Sequence, residues 1–197
     1  MNKNYIIIGV IAVLVIWGIS SFNGLVGKDE KVTASWSQVE NVYQRKVDLI
    51  GNLVSTVKNY ADFEKDVLIK VTEARANASS MKIDPANLTE DNIAKFEAAQ
   101  GQLNGALSRL LVTVEKYPDL KANEGYIKLQ DELTGSENRI STERRNFTTV
   151  VQEYNTSRRS FPTNLLAGIF GFKTKANFQA DPEAKGGKVD VDKLFNK

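Results

Sequence analysis

Few residue types in this chain could carry out chemistry. Its 197 residues include no Cys and no His. Thiolate nucleophiles, imidazole bases, disulfides and metal sites built from Cys or His are therefore excluded. A carboxylate pair or a Ser–Lys dyad in a cleft is what remains, but Asp and Glu are scattered at helical surface spacing and no glycine-rich phosphate loop is present. We expect no enzyme, no cofactor, no metal and no small-molecule substrate.

A set of outward-facing polar residues could instead contact a protein. Arg45, Asp48 and Asn52 follow one another at steps of three and four residues, and Asp62 comes later in the same block. Steps of three and four place side chains on one helix surface. The competing explanation is pairing within the helix surface, worth roughly 0.2–0.5 kcal/mol per pair.

The charge pattern indicates no nucleic-acid partner. The formal net charge is +2, with acidic and basic residues mixed along the chain. A nucleic-acid binder usually carries a basic face or a recognised motif. Neither is present in this sequence.

The elements that would position these residues begin with an apolar segment. Residues 5–22 read YIIIGVIAVLVIWGISSF without a charge, after a short tail at 1–4. A helix of this length spans roughly 27 Å, close to a hydrocarbon core, which predicts a transmembrane anchor. A cleaved signal peptide and a buried core helix are the alternatives. The short tail favours an exported domain, although Lys28 and Lys31 oppose that orientation.

Heptad spacing follows the anchor. Steps of three and four residues alternate from Trp36 to Ala78 and predict one long helix over about 33–78. Its apolar stripe is too wide for a two-stranded coiled coil and fits a helix covered by two neighbours. Lys46 and Glu64 interrupt the stripe. Snorkelling or pairing at the bundle edge is the explanation that we favour over a polar site inside the bundle.

Two more long helices are predicted, over about 90–116 and 124–157, after turns that contain Pro. Because short connections make neighbouring helices antiparallel, the third helix is expected to end far from the bilayer. The predicted fold is all-α: an N-terminal transmembrane helix followed by an elongated antiparallel up-and-down bundle over 23–172. This bundle would contain three long helices plus a short fourth.

Residues 160–172 read SFPTNLLAGIFGF, which is too apolar to stay in water. The segment either closes the bundle as the short fourth helix or forms an exposed hook that docks elsewhere or touches the membrane. Phe161, Pro162 and Asn164 are its candidate contact residues. Residues 173–197 are rich in Lys, Gly and Asp and predict a loose tail.

Four ordered blocks of the sequence resemble the LemA family. The main block is ASWSQVENVYQRKVDLIGNLVSTVKNYADFEKDVLIKVTEARA, and YPDLKAN, LQDELTGSENRIS and FPTNLLAGIFGFK follow it. Gly51 stands where the family usually has Pro, and Val47 replaces a more usual aromatic residue. The resemblance implies a membrane-anchored, up-and-down helical bundle found in bacteria, for which no catalytic activity is established.

Together these features predict a non-enzymatic interaction or scaffold protein. We expect a single-pass protein of the bacterial inner membrane, with the bundle outside the cytoplasm. Its partners would be the lipid bilayer, through the N-terminal helix, and an unidentified protein or a second copy. The alternatives are a self-assembling protein that organises the membrane, or an accessory regulator of a membrane protease or signalling kinase.

Overall fold

The computed structural model describes residues 3–60 and 63–179. This part of the chain contains no strand, so the all-α class is confirmed. A 3₁₀ turn spans Pro85–Asn87. The α-helices are α1 (Lys3–Lys58), α2 (Lys65–Ser80), α3 (Glu90–Val114), α4 (Pro118–Lys121), α5 (Glu124–Arg159) and α6 (Thr163–Ile169).

The helices α1, α2, α3 and α5 form an antiparallel up-and-down bundle. Helix α2 returns beside α1, as shown by the Arg75 side chain, which donates a hydrogen bond to the carbonyl oxygen of Val47. Helix α3 then runs antiparallel to α2, with Asn77 bonded to Gln102 near one end and Glu64 paired with Lys116 near the other.

Helix α5 closes the bundle by packing antiparallel against α1. The side chain of Arg45 lies 3.8 Å from Glu132, whereas Trp36, earlier in α1, packs on Phe147, later in α5. The end of α5 therefore lies beside the early part of α1. Our prediction that the last long helix ends far from the apolar segment is wrong.

This prediction failed because the heptad spacing predicted one helix over 33–78, whereas the structure has two helices there. Helix α1 ends at Lys58 and α2 begins at Lys65, and each end carries a charge that suits the helix dipole: Lys58 in the last turn of α1 and Asp66 in the first turn of α2. The apolar spacing continues across this break because Val57 in α1 and Val67 in α2 are both buried at positions that keep the steps of three and four. Phe63 is buried between the two helices, against Tyr117. One extra reversal of the chain follows, and it sends α5 back towards the start of α1.

Helix α1 continues from the apolar segment into the bundle without interruption. Its apolar end has a mean hydropathy of 2.4 over an 18-residue window, and none of that window is buried. By length and composition this helix could cross a membrane. From Leu25 onwards the same helix carries buried residues that face the bundle.

The buried apolar side chains form two cores along the bundle. The proximal core, nearer the apolar segment, contains Val32, Trp36, Val39, Tyr43, Ile83, Leu88, Ile93, Phe96, Ile140, Phe147, Val151 and Tyr154. The distal core contains Val47, Leu49, Ile50, Leu53, Val57, Phe63, Val67, Val71, Ala78, Leu103, Leu107, Leu110, Val114, Leu120, Tyr126 and Leu133. Trp36 anchors the proximal core through edge-to-face contacts with Phe96 and Phe147, each at 5.3 Å between ring centroids.

Residues 172–179 form a C-terminal strap over the proximal core, which differs from the loose tail that we predicted from residue 173. The Tyr154 hydroxyl donates to the carbonyl oxygen of Lys173 at 2.8 Å, and the Ala176 N–H donates to that of Leu88 at 2.8 Å. Phe178 adds its ring to the core. The rest of the predicted tail, 180–197, lies outside the described residues.

A buried lysine fastens the strap to the bundle. The Lys175 ammonium lies 3.0 Å from the Asp29 carboxylate of α1 and donates to the carbonyl oxygen of Pro85 at 3.0 Å. Burial, with a smaller contribution from Asp29, raises the pKa of Tyr154 to about 12. The Tyr154 hydroxyl is protonated at neutral pH with or without this shift, and the raised pKa keeps its bond to the strap up to a higher pH than an ordinary tyrosine would allow.

Candidate functional site

A polar layer separates the two cores. It consists of Lys46 from α1, Gln100 and Asn104 from α3, and Ser136 and Glu137 from α5. The side chain of Lys46 is 1% exposed, and its ammonium donates to the Asn104 side-chain oxygen and pairs with the Glu137 carboxylate. Lys46 thus joins three helices through one charged group.

This geometry decides between our two explanations of the polar residues in the stripe. Lys46 is itself buried, but both partners of its ammonium, Asn104 and Glu137, are exposed, so it pairs at the bundle edge as predicted. Glu64 behaves as predicted and pairs at the bundle edge, 3.0 Å from the ammonium of Lys116.

The layer also contains polar atoms that the surrounding residues leave unpaired. The side-chain oxygens of Gln100 and Ser136 are buried without a hydrogen-bond partner in the described part of the chain. An unpaired buried group costs about 1–3 kcal/mol, so the layer is less stable than an apolar filling of the same shape. The Lys46 ammonium itself is engaged by the carboxylate of the half-exposed Glu137 and by the side-chain oxygen of Asn104.

A second ion pair borders the layer on the proximal side. The Arg144 guanidinium lies 2.6 Å from the Glu97 carboxylate, and its central carbon lies 4.2 Å from the ring centroid of Phe178. Burial raises the pKa of the neighbouring Tyr43, and Arg144 partly offsets this shift. Arg144 therefore joins α3, α5 and the strap.

The predicted contact residues of α1 lie where the heptad analysis placed them. Arg45, Asp48 and Asn52 are exposed on one side of the helix. Arg45 approaches Glu132 at 3.8 Å, and Asp48 accepts a hydrogen bond from Gln44 at 3.0 Å. These are ordinary surface pairs, so a role in partner contact stays a prediction. Asp62 lies outside the described residues.

A groove that the sequence did not reveal adjoins this side of α1. It has a volume of about 630 Å³ and is lined by Val54, Ser55, Lys58, Tyr60, Phe63, Lys65, Leu68, Ile69, Thr72 and Glu73. The groove exists because α2 folds back after Lys58, and the heptad spacing concealed that turn. Ser55 continues the stripe of Asp48 and Asn52, so the groove and the predicted residues form one distal surface.

The other predicted residues lie at the opposite end of the bundle. Phe161 and Asn164 are exposed and Pro162 is half-buried, at the start of α6. Helix α6 reaches α1 near Phe22, which is about 35 Å from Arg45 along the helix at 1.5 Å per residue. The two predicted groups therefore form two separate surfaces.

Comparison with known proteins places this architecture in a family. The LemA family model matches residues 35–192. The chain belongs to the LemA family. The match begins after the apolar segment and covers the rest of α1 from residue 35 together with α2 to α6.

Three curated proteins illustrate the range of LemA-type relatives. Magnetosome protein MamQ 2 of Paramagnetospirillum magneticum is 28% identical over 82% of this chain and 65% of its own length. Magnetosome protein MamQ of Magnetospirillum gryphiswaldense is 27% identical with the same coverage. Protein LemA of Metamycoplasma hominis is 25% identical over 88% of this chain and 75% of its own length. The chain thus spans slightly less than two thirds of the magnetosome proteins.

Gly51, which stands where the LemA family usually has Pro, lies directly beside the side chain of Arg75. A Cβ atom on Gly51 would lie 2.9 Å from the guanidinium carbon of Arg75. The same guanidinium donates to the carbonyl oxygen of Val47 at 2.9 Å. The missing side chain at Gly51 therefore gives Arg75 room to cross α1 and tie it to α2.

The polar layer predicts an asymmetric response to mutation. In Glu137→Ala, the buried Lys46 ammonium loses its carboxylate partner. We expect the free energy of unfolding to fall by about 1–3 kcal/mol. This loss is smaller than for a fully buried ion pair, because Glu137 is half-exposed. Lys46→Met fills the same space without a charge and is expected to stay within about 1 kcal/mol of the wild type. The double variant should resemble Lys46→Met. Thermal and urea unfolding of the full chain in detergent measures all three.

The control for this series is Glu132→Ala, which removes a partner from the exposed pair with Arg45. This change is expected to alter the free energy of unfolding by less than about 0.5 kcal/mol. A Lys46→Met variant that is destabilised more than Glu137→Ala contradicts the account of the layer as a strained ion pair.

Proposed function

We propose that this LemA-family protein is a membrane-anchored, non-enzymatic interaction protein. The observation that carries the proposal is the continuity of α1, whose 56 residues include both the exposed apolar segment and a wall of the bundle. Because α1 is one continuous helix, the position of its apolar segment in the membrane determines the distance of the distal surface from the membrane. Asn52 stands about 45 Å beyond Phe22 at 1.5 Å per residue.

The composition of the distal surface supports a protein as the partner. The groove presents apolar side chains, among them Ile69, whose surface is 53% exposed. Lys58, Lys65 and Glu73 surround this apolar centre. An apolar centre with a charged rim is typical of protein-binding surfaces.

The proposed location is the bacterial inner membrane, crossed once, with the bundle outside the cytoplasm. Lys3, which precedes the apolar segment, supports a cytoplasmic N-terminus, whereas Lys28 and Lys31 on the other side oppose it. Protease added to spheroplasts is then expected to digest the bundle while the inner membrane is intact. If the bundle is digested only after the inner membrane is breached, the proposed orientation is wrong and the partner is expected in the cytoplasm.

The distal surface is tested by photo-crosslinking in native membranes. A photoreactive residue placed at Asn52 or Ile69 should form an adduct with one foreign protein, identified by mass spectrometry. Lys95 is the matched control, because it is equally exposed but lies on α3 in the proximal half of the bundle. Its variant should give a much weaker adduct.

The pattern of adducts separates the candidate functions. A ladder of self-adducts would contradict the proposal of a foreign partner and indicate a self-assembling scaffold instead. A protease or a kinase as the one foreign adduct identifies the protein as an accessory regulator. Adducts of equal strength at Lys95, or none at either distal position, contradict the distal surface as the contact site.

A further inference from the structure

Helix α6 keeps most of its apolar side chains outside the bundle. Of its seven residues, Ala167 is the one that is fully buried. Ile169 is 76% exposed and Phe161, just before the helix, is 82% exposed. Leu165 and Ile169 are four residues apart in α6, so they share one outward face. A short fourth helix that closes the core would bury these side chains.

The inner side of α6 packs on the apolar segment of α1. The rings of Phe22 and Phe170 meet edge to face at 4.8 Å between centroids. Leu166 faces a shallow groove lined by Val15 and Ile19. Val15 to Phe22 covers about 10 Å of helix, so α6 lies at the level of the last two turns of the apolar segment.

The backbone at the end of α6 is closed by internal hydrogen bonds. The Phe172 N–H donates to the carbonyl oxygen of Ala167 at 3.0 Å, and the Phe170 N–H donates to that of Leu166 at 2.9 Å. Gly171 makes this reversal possible, since its φ of 73° lies in the left-handed region. Backbone groups that are paired in this way can enter a lipid environment.

Charged residues stand at both ends of this apolar element. Arg159 precedes it and Lys173 follows it, and both side chains are exposed. Basic residues beside an apolar face are typical of helices that lie in the membrane interface. The outward face of α6 is therefore continuous with the exposed apolar surface of α1 and is bounded by charges that suit lipid headgroups.

We propose that α6, with Phe161, inserts into the bilayer beside the transmembrane part of α1 as a second contact that does not span the membrane. The occupant of the outward face is lipid acyl chains. The inference rests on the proposed anchor, because the depth of α6 is defined by the apolar segment that it packs against. Two attachment points fix the tilt of the bundle relative to the membrane, which one span alone does not.

Site-directed spin labelling tests this insertion in the full chain. Since the chain has no Cys, each single-cysteine variant carries one nitroxide. Ile169→Cys is the test variant, Leu14→Cys reports the anchor, and Val112→Cys reports exposed bundle surface. The variants are reconstituted in vesicles of zwitterionic and anionic phospholipid, and accessibility to oxygen and to a water-soluble nickel chelate is measured.

Insertion predicts that the label at Ile169 collides with oxygen and is protected from the nickel chelate, as at Leu14, whereas the label at Val112 shows the reverse. A label at Ile169 that behaves like Val112, while Leu14 is in lipid, overturns the insertion and leaves the anchor standing. Protection from both reagents at Ile169 also overturns it, in favour of contact with a second copy. A label at Leu14 that is open to the nickel chelate instead defeats the anchor, and the inference fails with it.

Discussion

Helix α1 places one continuous backbone in two surroundings, and the rest of the fold is built on that constraint. Its first part is apolar on every side and exposed, whereas its second part contributes to both cores of the bundle. The other elements are arranged so that the chain returns to the junction between these parts. Helix α5 runs back along α1, and the strap fastens to Asp29 through Lys175. The junction is therefore supported from several sides instead of being a bare linker.

The polar layer gives the bundle a defined register at a cost in stability. Each apolar core alone tolerates sliding of one helix past another, because apolar contacts have little directionality. Lys46 removes that freedom, since its ammonium needs both Asn104 of α3 and Glu137 of α5 at the same level. A shift of one turn would leave a buried charge without partners, which is strongly unfavourable. We therefore interpret the layer as a source of structural specificity.

Much of the fold followed from the sequence because periodic apolar spacing reflects burial directly. The apolar segment, the long helices and the exposure of Arg45, Asp48 and Asn52 were all predicted in this way. The break after Lys58 was missed because Val57 and Val67, on either side of it, are both buried and continue the spacing. The distal groove was missed with it, since the groove exists only where α2 folds back.

The strap and the position of α6 could not be predicted for a different reason. The strap is held by backbone carbonyl groups, by the single ring of Phe178 and by one buried lysine. None of these features produces a periodic pattern, and a segment rich in Lys and Gly has the composition of a loose tail. The outcome for SFPTNLLAGIFGF depended on the direction of α5, which in turn depended on the missed break.

The central claim is that the anchor and the bundle are one rigid unit through α1. The most direct measurement is the distance between nitroxides at Leu14→Cys and Asn41→Cys, determined by pulsed electron resonance in vesicles. A continuous helix predicts one narrow distribution near about 40 Å, at 1.5 Å per residue. A broad distribution, or a clearly shorter distance, would mean that α1 bends or melts where it leaves the membrane, and would contradict the account.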